Sequence, residues 1–131
     1  MSDKTLKIVN DLTLLQELYE DIYSNSCNAY DVLENYDDSD ARYLLVANYL
    51  SMAHISYTQA LSYIAANDLH HNDLEEISPS FKKFKFEFDQ VIIKKDNNTS
   101  WLYSRHNDLQ KAYKYVMDYT KNIIQMQMEV K

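Results

Sequence analysis

Four histidines and one cysteine are the side chains of this sequence best suited to metal binding or nucleophilic chemistry. His54, His70, His71 and His106 form neither the His-Glu-x-x-His pattern of a zinc protease nor the Glu-x-x-His pairs of a di-iron bundle. The adjacent His70 and His71 fall in a polar stretch, where two solvated side chains are expected. The sequence therefore predicts no metal site and no cofactor.

The same residues offer little for catalysis. Cys27 lies among tyrosines and acids with no histidine near it in the sequence, so we expect a buried, inert thiol. His54 falls on a helical stripe of small residues, which favours a hydrogen-bonded interior histidine. We expect no catalytic residue. The alternative is a helical-bundle enzyme with an unrecognised motif, in which His54, His70 or His71 is the base.

The absence of glycine excludes several kinds of site. The 131 residues of the chain include no glycine and one proline, Pro79. A phosphate-binding glycine loop, a dinucleotide turn and a nucleophile elbow all need glycine, and two-residue hairpins prefer it. The length fits one domain spanning residues 1–131. We therefore expect a single all-helical domain rather than a β fold.

Apolar residues at helical spacing predict four helices, at about 10–36, 40–67, 79–95 and 100–129. Short turns between them favour an antiparallel four-helix bundle. The residues predicted to face the core are Leu15, Leu18, Ile22, Ala29, Leu33 and Tyr36, then Tyr43, Val46, Leu50, Ala53, Tyr57, Leu61 and Ile64, then Phe81, Phe84, Phe88 and Val91, and finally Leu102, Leu109, Tyr113, Val116, Ile123 and Met126.

Polar residues are predicted to start and end these helices in place of glycine. Asn10 or Asp11 is expected to cap the first helix, and Asn35 to end it in a left-handed conformation. Asn67-Asp68 is the next stop, and Ser78-Pro79 is a start signal for the third helix. Asp38 or Ser39 is expected to cap the second helix, and Thr99 or Ser100 the fourth.

The third segment is ambiguous and short. Residues 84–89 alternate apolar and charged side chains with the period of a strand, although no other segment offers a partner strand. We favour a helix over residues 81–93 and keep the strand as an alternative. A short third helix would leave part of the groove between three long helices open, and this groove is a candidate surface for a homodimer.

Charge is distributed unevenly along the chain. The net charge is −7: residues 1–40 contribute −8, residues 41–80 contribute −3 and residues 81–131 contribute +4. Attraction between acidic and basic helices of one bundle is the structural interpretation. The functional interpretation is an acidic, tyrosine-rich face that binds a protein with a basic surface. The candidate partner-binding residues are Asp31, Glu34, Asp37, Asp38, Asp40, Tyr43, Tyr113 and Tyr119.

These observations predict a small non-enzymatic interaction module of inhibitor, immunity or adaptor type, in a style typical of phage or mobile-element proteins. Basic and aromatic residues alternate over residues 82–86, yet the acidic net charge disfavours nucleic acid as a partner. An acidic DNA mimic is a further alternative, with the acids of the first helix imitating phosphates. No stretch has the length of a membrane span or the apolar core of a signal peptide, and the single cysteine fits a reducing compartment, so we expect a cytoplasmic protein.

Overall fold

Four helices make up the architecture. The computed structural model describes residues 2–36, 40–95 and 99–129. The helices are α1 (Asp3–Asn35), α2 (Asp40–Ala66), α3 (Ile77–Lys94) and α4 (Ser100–Glu129). Within those residues there is no strand, so the predicted all-α bundle is confirmed. Residues 81–93 lie inside α3, which rules out the strand alternative.

Contacts between the helices show how they pack. Tyr63, near the end of α2, bonds to Asp11 in the first third of α1, with an oxygen–oxygen distance of 2.6 Å. Gln16 of α1 donates to the hydroxyl of Thr120 near the end of α4, at 2.7 Å. Each of these pairs joins the first half of α1 to the second half of α2 or α4. α1 therefore lies antiparallel to both α2 and α4.

α3 completes the bundle on the side opposite α1. Its Phe84 ring lies 5.8 Å from the ring of His106 in α4, and its Phe81 ring lies 4.9 Å from that of Tyr57 in α2. Of the four pairs of neighbouring helices, α2 and α3 touch least. The bundle is thus most open along the α2–α3 seam.

The core is drawn from all four helices. Phe81, Phe84 and Phe88 of α3 are its largest fully buried side chains, although α3 is the shortest helix at 18 residues. Burying an aromatic side chain stabilises a fold by about 2–3 kcal/mol relative to leaving it in water. Three phenylalanines at steps of three and four residues therefore fix α3 to the bundle, and the alternating Phe86 stays exposed.

Three residues predicted to face the core are exposed instead: Tyr36, Leu61 and Met126. Each lies at or near the end of its helix, where fewer neighbours are available to cover it. His54 is also exposed rather than interior, and so are the other members of its small-residue stripe. The prediction of an interior His54 is therefore wrong.

α1 begins earlier than the sequence pattern predicted. Ser2 caps the helix, accepting a hydrogen bond from the backbone N–H of Thr5 at 3.1 Å. Asn10 and Asp11, the predicted caps, lie inside the helix. Asn35 is its last helical residue, and the following Tyr36 is extended, so the predicted left-handed Asn35 is also wrong.

α3 begins two residues before the predicted start. Its N-cap is Glu76, and the hydroxyl of Ser78 contacts the Tyr57 hydroxyl at 2.9 Å instead of capping the helix. Pro79 then occupies the first turn, where its missing N–H costs no helical hydrogen bond. Asp68 is left-handed, with φ 54°, as expected for the Asn67-Asp68 stop. Lys95 ends α3 in the same conformation, with φ 49°.

The remaining turns lie partly outside the described residues. Asp38 and Ser39, the predicted caps of α2, fall in the gap at residues 37–39. Thr99 directly precedes α4, and its carbonyl accepts the backbone N–H of Tyr103 at 2.9 Å. This places the start of α4 where the sequence predicted it.

A buried carboxylate joins α1 to α2. Asp11 accepts the Lys7 ammonium at 2.5 Å and the Tyr63 hydroxyl at 2.6 Å. Burial alone would raise the pKa of Asp11, but the bonds from Lys7 and Tyr63 outweigh it and leave the pKa below the ordinary value of 3.8. The same bond to Asp11 raises the pKa of Tyr63 to about 12. The ionised form of Asp11 therefore stabilises the α1–α2 contact.

We predict that Asp11→Asn lowers the free energy of unfolding at pH 7 by about 1–2 kcal/mol, because it removes a charge-assisted bond at a buried site. A carboxylate whose pKa is lowered on folding stabilises the fold above its unfolded pKa, and this contribution is lost as the pH falls through the folded pKa. The difference between wild type and variant should therefore shrink from pH 5 towards pH 2. Urea unfolding at several pH values measures it.

The exposed substitution Asp21→Asn is the matched control and should leave the free energy of unfolding nearly unchanged. A deficit of Asp11→Asn that stays constant between pH 7 and pH 2 would contradict this account of the buried carboxylate.

Candidate functional site

Five large apolar side chains are exposed at one end of the bundle. They lie where α1 and α3 end and where α2 and α4 begin, and between 57 and 75% of each is accessible to solvent. Large exposed apolar side chains at one end of a bundle are candidates for an interaction surface. We call it the apolar end. Its members are Tyr36, Leu44, Ile93, Trp101 and Tyr103.

Acidic residues border the apolar end. Asp31 and Glu34 are exposed on the last turns of α1, and Asp40 is exposed as the first residue of α2. These are three of the five predicted partner-binding acids. The other two, Asp37 and Asp38, lie outside the described residues. The structure thus brings the described acids to the same end as the exposed aromatic residues.

Tyr43, a predicted binding residue, packs within this end of the protein. The Arg42 guanidinium donates to the Leu33 carbonyl at 3.1 Å and to the Tyr43 hydroxyl at 2.8 Å. The Lys95 ammonium lies 5.6 Å from the centre of the Tyr43 ring. Cation–π contacts of this kind contribute about 0.5–1 kcal/mol at partly exposed sites. Tyr43 therefore helps to join α2 to the ends of α1 and α3, and it is half-buried.

Tyr113 and Tyr119 lie away from the apolar end. Tyr113 stacks on Tyr23 of α1, with ring centres 4.2 Å apart and planes 9° apart, midway along the bundle. Tyr119 stacks on His71 at 5.7 Å, near the opposite end. Both are half-buried. The eight predicted site residues therefore do not form one surface, since these two tyrosines serve packing at other levels.

The apolar end contains residues that the sequence analysis missed. Leu44, Ile93, Trp101 and Tyr103 lie off the apolar stripes that predicted the core, and each is within a few residues of a predicted turn. These two properties together could have predicted the exposure of these residues. A large apolar side chain that lies outside the core-facing stripe and next to a turn does not face the core.

A thiol–imidazole contact also escaped the sequence analysis. Cys27 Sγ lies 3.6 Å from Nε2 of His106, although the two residues are far apart in the chain. The His106 ring stacks on Tyr30 at 4.5 Å and lies 6.5 Å from Tyr23. The lack of a histidine near Cys27 in the sequence therefore did not predict its surroundings. The antiparallel packing of α1 and α4 brings His106 beside it.

The protonation of this pair is the reverse of what a nucleophile needs. Burial raises the pKa of the Cys27 thiol, and the negative charge of Asp31 raises it further, although the bond from Tyr23 acts in the opposite direction. Burial lowers the pKa of His106, opposed by Asp31. At neutral pH the pair is a thiol beside a neutral imidazole. A nucleophilic cysteine instead requires a thiolate stabilised by positive charge.

We predict that Cys27 reacts with iodoacetamide at pH 7.5 at least about tenfold more slowly than a free thiol, because the reactive species is the thiolate. Cys27 of the protein unfolded in urea is the internal control and should react at the rate of a model peptide. Alkylation of the folded protein at the model-peptide rate, or a rate that reaches its plateau below pH 8, would contradict the assignment of a neutral thiol.

The other histidines are held by local contacts. His70 Nδ1 lies 3.1 Å from Glu75 Oε1, and the backbone N–H of Asp73 donates to Nδ1 of His71 at 3.1 Å. Over residues 2–36, 40–95 and 99–129, no group of three or more His, Cys, Asp or Glu side chains is arranged to hold a metal ion. The exposed His54 lies 6.1 Å from the Tyr57 ring.

The basic half of the chain forms its own surface on α3 and α4. Of the alternating residues, Phe84 is buried and Phe86 is exposed. Phe86 and Trp101 line one groove of about 340 Å³, together with Lys94.

Every ion pair that the structure gives between described residues is local, within one helix or one connection. Attraction between acidic and basic helices is therefore not realised as direct ion pairs in the described part of the chain.

Comparisons of the chain with family models, with curated proteins and with solved structures found no match. No helix among the described residues has the length and apolar content to cross a membrane. The residues themselves therefore carry the functional argument.

Proposed function

We propose that this protein is a non-enzymatic interaction module, of inhibitor, immunity or adaptor type, that binds a partner protein with a basic surface. The observation that carries the proposal is the apolar end. Five large apolar side chains, each more than half exposed, lie at the end of the bundle where α1 and α3 end and α2 and α4 begin, and exposed acids lie at the same end.

The residue types of the apolar end suit a binding hot spot. Trp101, Tyr36 and Tyr103 are aromatic, and tryptophan and tyrosine are the residues most enriched among side chains that dominate binding energies. Leu44 and Ile93 add apolar area around them. A surface with an apolar centre and a polar rim has the composition of known protein–protein interfaces.

The acidic border supports a basic partner. Asp31, Glu34 and Asp40 are exposed, and α1 as a whole carries seven acids against two bases. Charges at the rim of an interface mainly accelerate association and select among partners. Lys94 and Lys95 lie at the same end on α3, so the acidic side of this end, on α1 and α2, is the side that suits a basic partner.

The surroundings of Cys27 and His106 favour a binding protein over an enzyme, since both groups are held neutral. The DNA-mimic alternative extends the contact along α1, from the exposed Glu17, Glu20 and Asp21 to the acids of residues 31–40. Glu17, Glu20 and Asp21 lie outside the apolar end, so their part in binding separates the two alternatives experimentally.

We predict that Trp101→Ala weakens binding to the partner at least about tenfold, because truncating a central aromatic residue commonly costs 2 kcal/mol or more. The partner is isolated from the native host with immobilised wild-type protein, and its affinity for each purified variant is then measured by calorimetry. Met126→Ala, which truncates an equally exposed apolar side chain at the other end of α4, is the matched control and should bind as wild type does.

Two charge variants complete the test. The triple variant Asp31→Asn, Glu34→Gln, Asp40→Asn should weaken binding and reduce its dependence on salt. The triple variant Glu17→Gln, Glu20→Gln, Asp21→Asn should bind normally. If the second variant loses the partner as well, the contact extends along α1 as expected of a DNA mimic and the proposal is wrong. Unchanged binding by Trp101→Ala and by the first triple variant would also overturn it.

A further inference from the structure

A solvent-open trough runs along the contact between α3 and α4. It consists of three grooves of about 660, 440 and 340 Å³, and each groove shares a lining residue with the next. Lys83 lines the first and second grooves, and Phe86 lines the second and third. Because α3 has 18 residues, the trough extends over about 27 Å. We call it the α3–α4 trough.

Unpaired lysines line the α3–α4 trough. Five bases and three acids lie along it, so the trough is positive although the chain has a net charge of −7. The guanidinium of Arg105 lies 3.7 Å from the carboxylate of Asp108. The other four bases are exposed and make no hydrogen bond or ion pair with any described residue; they are Lys82, Lys83, Lys94 and Lys111. Their charges are therefore available to an anionic ligand.

Exposed aromatic rings lie in the same trough. Of the five Phe, Trp and Tyr side chains that are exposed among the described residues, three line it: Phe86, Trp101 and Tyr115. In the described part of the chain, neither Phe86 nor Trp101 stacks on another aromatic ring. Tyr115 is held in place by a 2.5 Å bond from its hydroxyl to Asp73 and by the ring of Tyr119. Since Trp101 and Tyr115 are separated by about 21 Å along α4, the rings are spread along the trough.

We propose that the α3–α4 trough binds single-stranded nucleic acid. Proteins that hold an unpaired strand combine a positively charged groove, which follows the phosphates, with aromatic rings on which bases stack. The trough has both features along one line. In a duplex the bases stack on one another, so exposed rings favour an unpaired strand. At about 3.4 Å per nucleotide, the trough covers up to about eight nucleotides.

The acidic net charge of the chain acts mainly at another face. α1, with seven acids, is the most acidic helix, and it packs mainly on α2 and α4. The trough opens on the far side of the bundle from the α1–α2 contact. The outer face of α1 is therefore about 20 Å from the trough, the width of two helices. This distance exceeds the Debye length of about 8 Å at physiological salt, so the lysines of the trough dominate the local potential.

An acidic peptide is the other polyanion whose charge suits this trough. Its carboxylates would pair with the lysines, but a chain of acidic residues has no ring to place on Phe86 or Trp101. Each nucleotide instead supplies a phosphate and a base with a π face. The aromatic rings therefore favour nucleic acid, and an acidic peptide is included in the test as a competitor.

The inference goes beyond the proposed function and does not depend on it. The two surfaces share Trp101, whereas the other four members of the apolar end do not line the trough. Phe86, Lys83 and Lys111 line the trough and lie outside the apolar end. Variants at these three residues therefore test strand binding and should leave binding of a protein partner to the apolar end unchanged.

Intrinsic fluorescence reports strand binding, because Trp101 is the single tryptophan of the chain. An oligothymidylate or an oligouridylate of about ten nucleotides should quench it to saturation as bases stack in the trough. Anisotropy of end-labelled strands gives the dissociation constants, and the tighter of the two strands identifies the sugar that the trough prefers.

Three polyanions of matched charge are the controls: a duplex, an abasic strand and polyglutamate. Each should bind at least about tenfold more weakly than the better single strand, because none offers unpaired bases for stacking. Failure of both strands to bind at low salt would overturn the proposal. Equal affinity for any of the three controls, or binding that leaves the fluorescence of Trp101 unchanged, would also overturn it.

Truncation of one ring tests whether the strand lies in the trough. Phe86→Ala should raise the dissociation constant of the strand at least about fivefold, because a base loses its stacking partner. Tyr36→Ala truncates an exposed aromatic residue of the apolar end outside the trough and should leave the dissociation constant nearly unchanged. Equal effects of the two substitutions would contradict binding in the trough.

Salt dependence tests the lysines. The double variant Lys83→Gln, Lys111→Gln removes one base from each wall and should reduce the slope of log K against log salt concentration by about 1.4, since each phosphate contact of a single strand contributes about 0.7. Lys4→Gln, Lys121→Gln makes the same change in net charge at exposed positions outside the trough and should keep the wild-type slope. Circular dichroism confirms that the variants fold. Equal slopes for the two double variants would overturn the proposal.

Discussion

The placement of charge is the constraint on which this structure depends. α1 carries seven acids and two bases, α3 and α4 have small positive balances, and α2 has only Asp40 and Arg42 in its first turn. α2 packs extensively on α1 with one face, and its other face is exposed and carries small, apolar and uncharged polar side chains. The acidic side chains of α1, apart from the buried Asp11, are exposed to solvent. Surfaces with different chemistry thus arise on different helices of one small bundle.

The absence of glycine works together with this distribution. The chain ends α2 at a left-handed Asp68 and α3 at a left-handed Lys95, where most proteins use glycine. Non-glycine residues accept this conformation at a cost of about 1–2 kcal/mol, which the surrounding packing must offset. Large apolar residues such as Trp101 and Ile93 are exposed beside the helix ends. The apolar end therefore depends on where these helices end, as well as on which residues they contain.

The sequence predicted the number of helices and most core positions, because apolar spacing depends on the helix alone. It could not predict that α1 begins at Ser2, whose hydroxyl accepts the backbone N–H of Thr5. It also could not predict that the Ser78 hydroxyl bonds to the Tyr57 hydroxyl instead of capping α3. It also missed the contact of Cys27 with His106, which exists only because α1 and α4 are antiparallel. Of the predicted site residues, Asp31, Glu34 and Asp40 come together, whereas Tyr113 and Tyr119 are drawn into stacks elsewhere. Contacts between distant segments explain these differences, except for the start of α1, which a local hydrogen bond sets.

The central claim is that the apolar end and the acids beside it bind a partner protein with a basic surface. The salt dependence of association tests this most directly, by stopped-flow mixing of the wild-type protein with that partner in 20 mM and 500 mM NaCl. Salt screens attraction between the exposed acids and a basic surface, so the association rate should fall, whereas the dissociation rate should change little. An association rate that is equal at the two salt concentrations, or that rises with salt, would contradict the account.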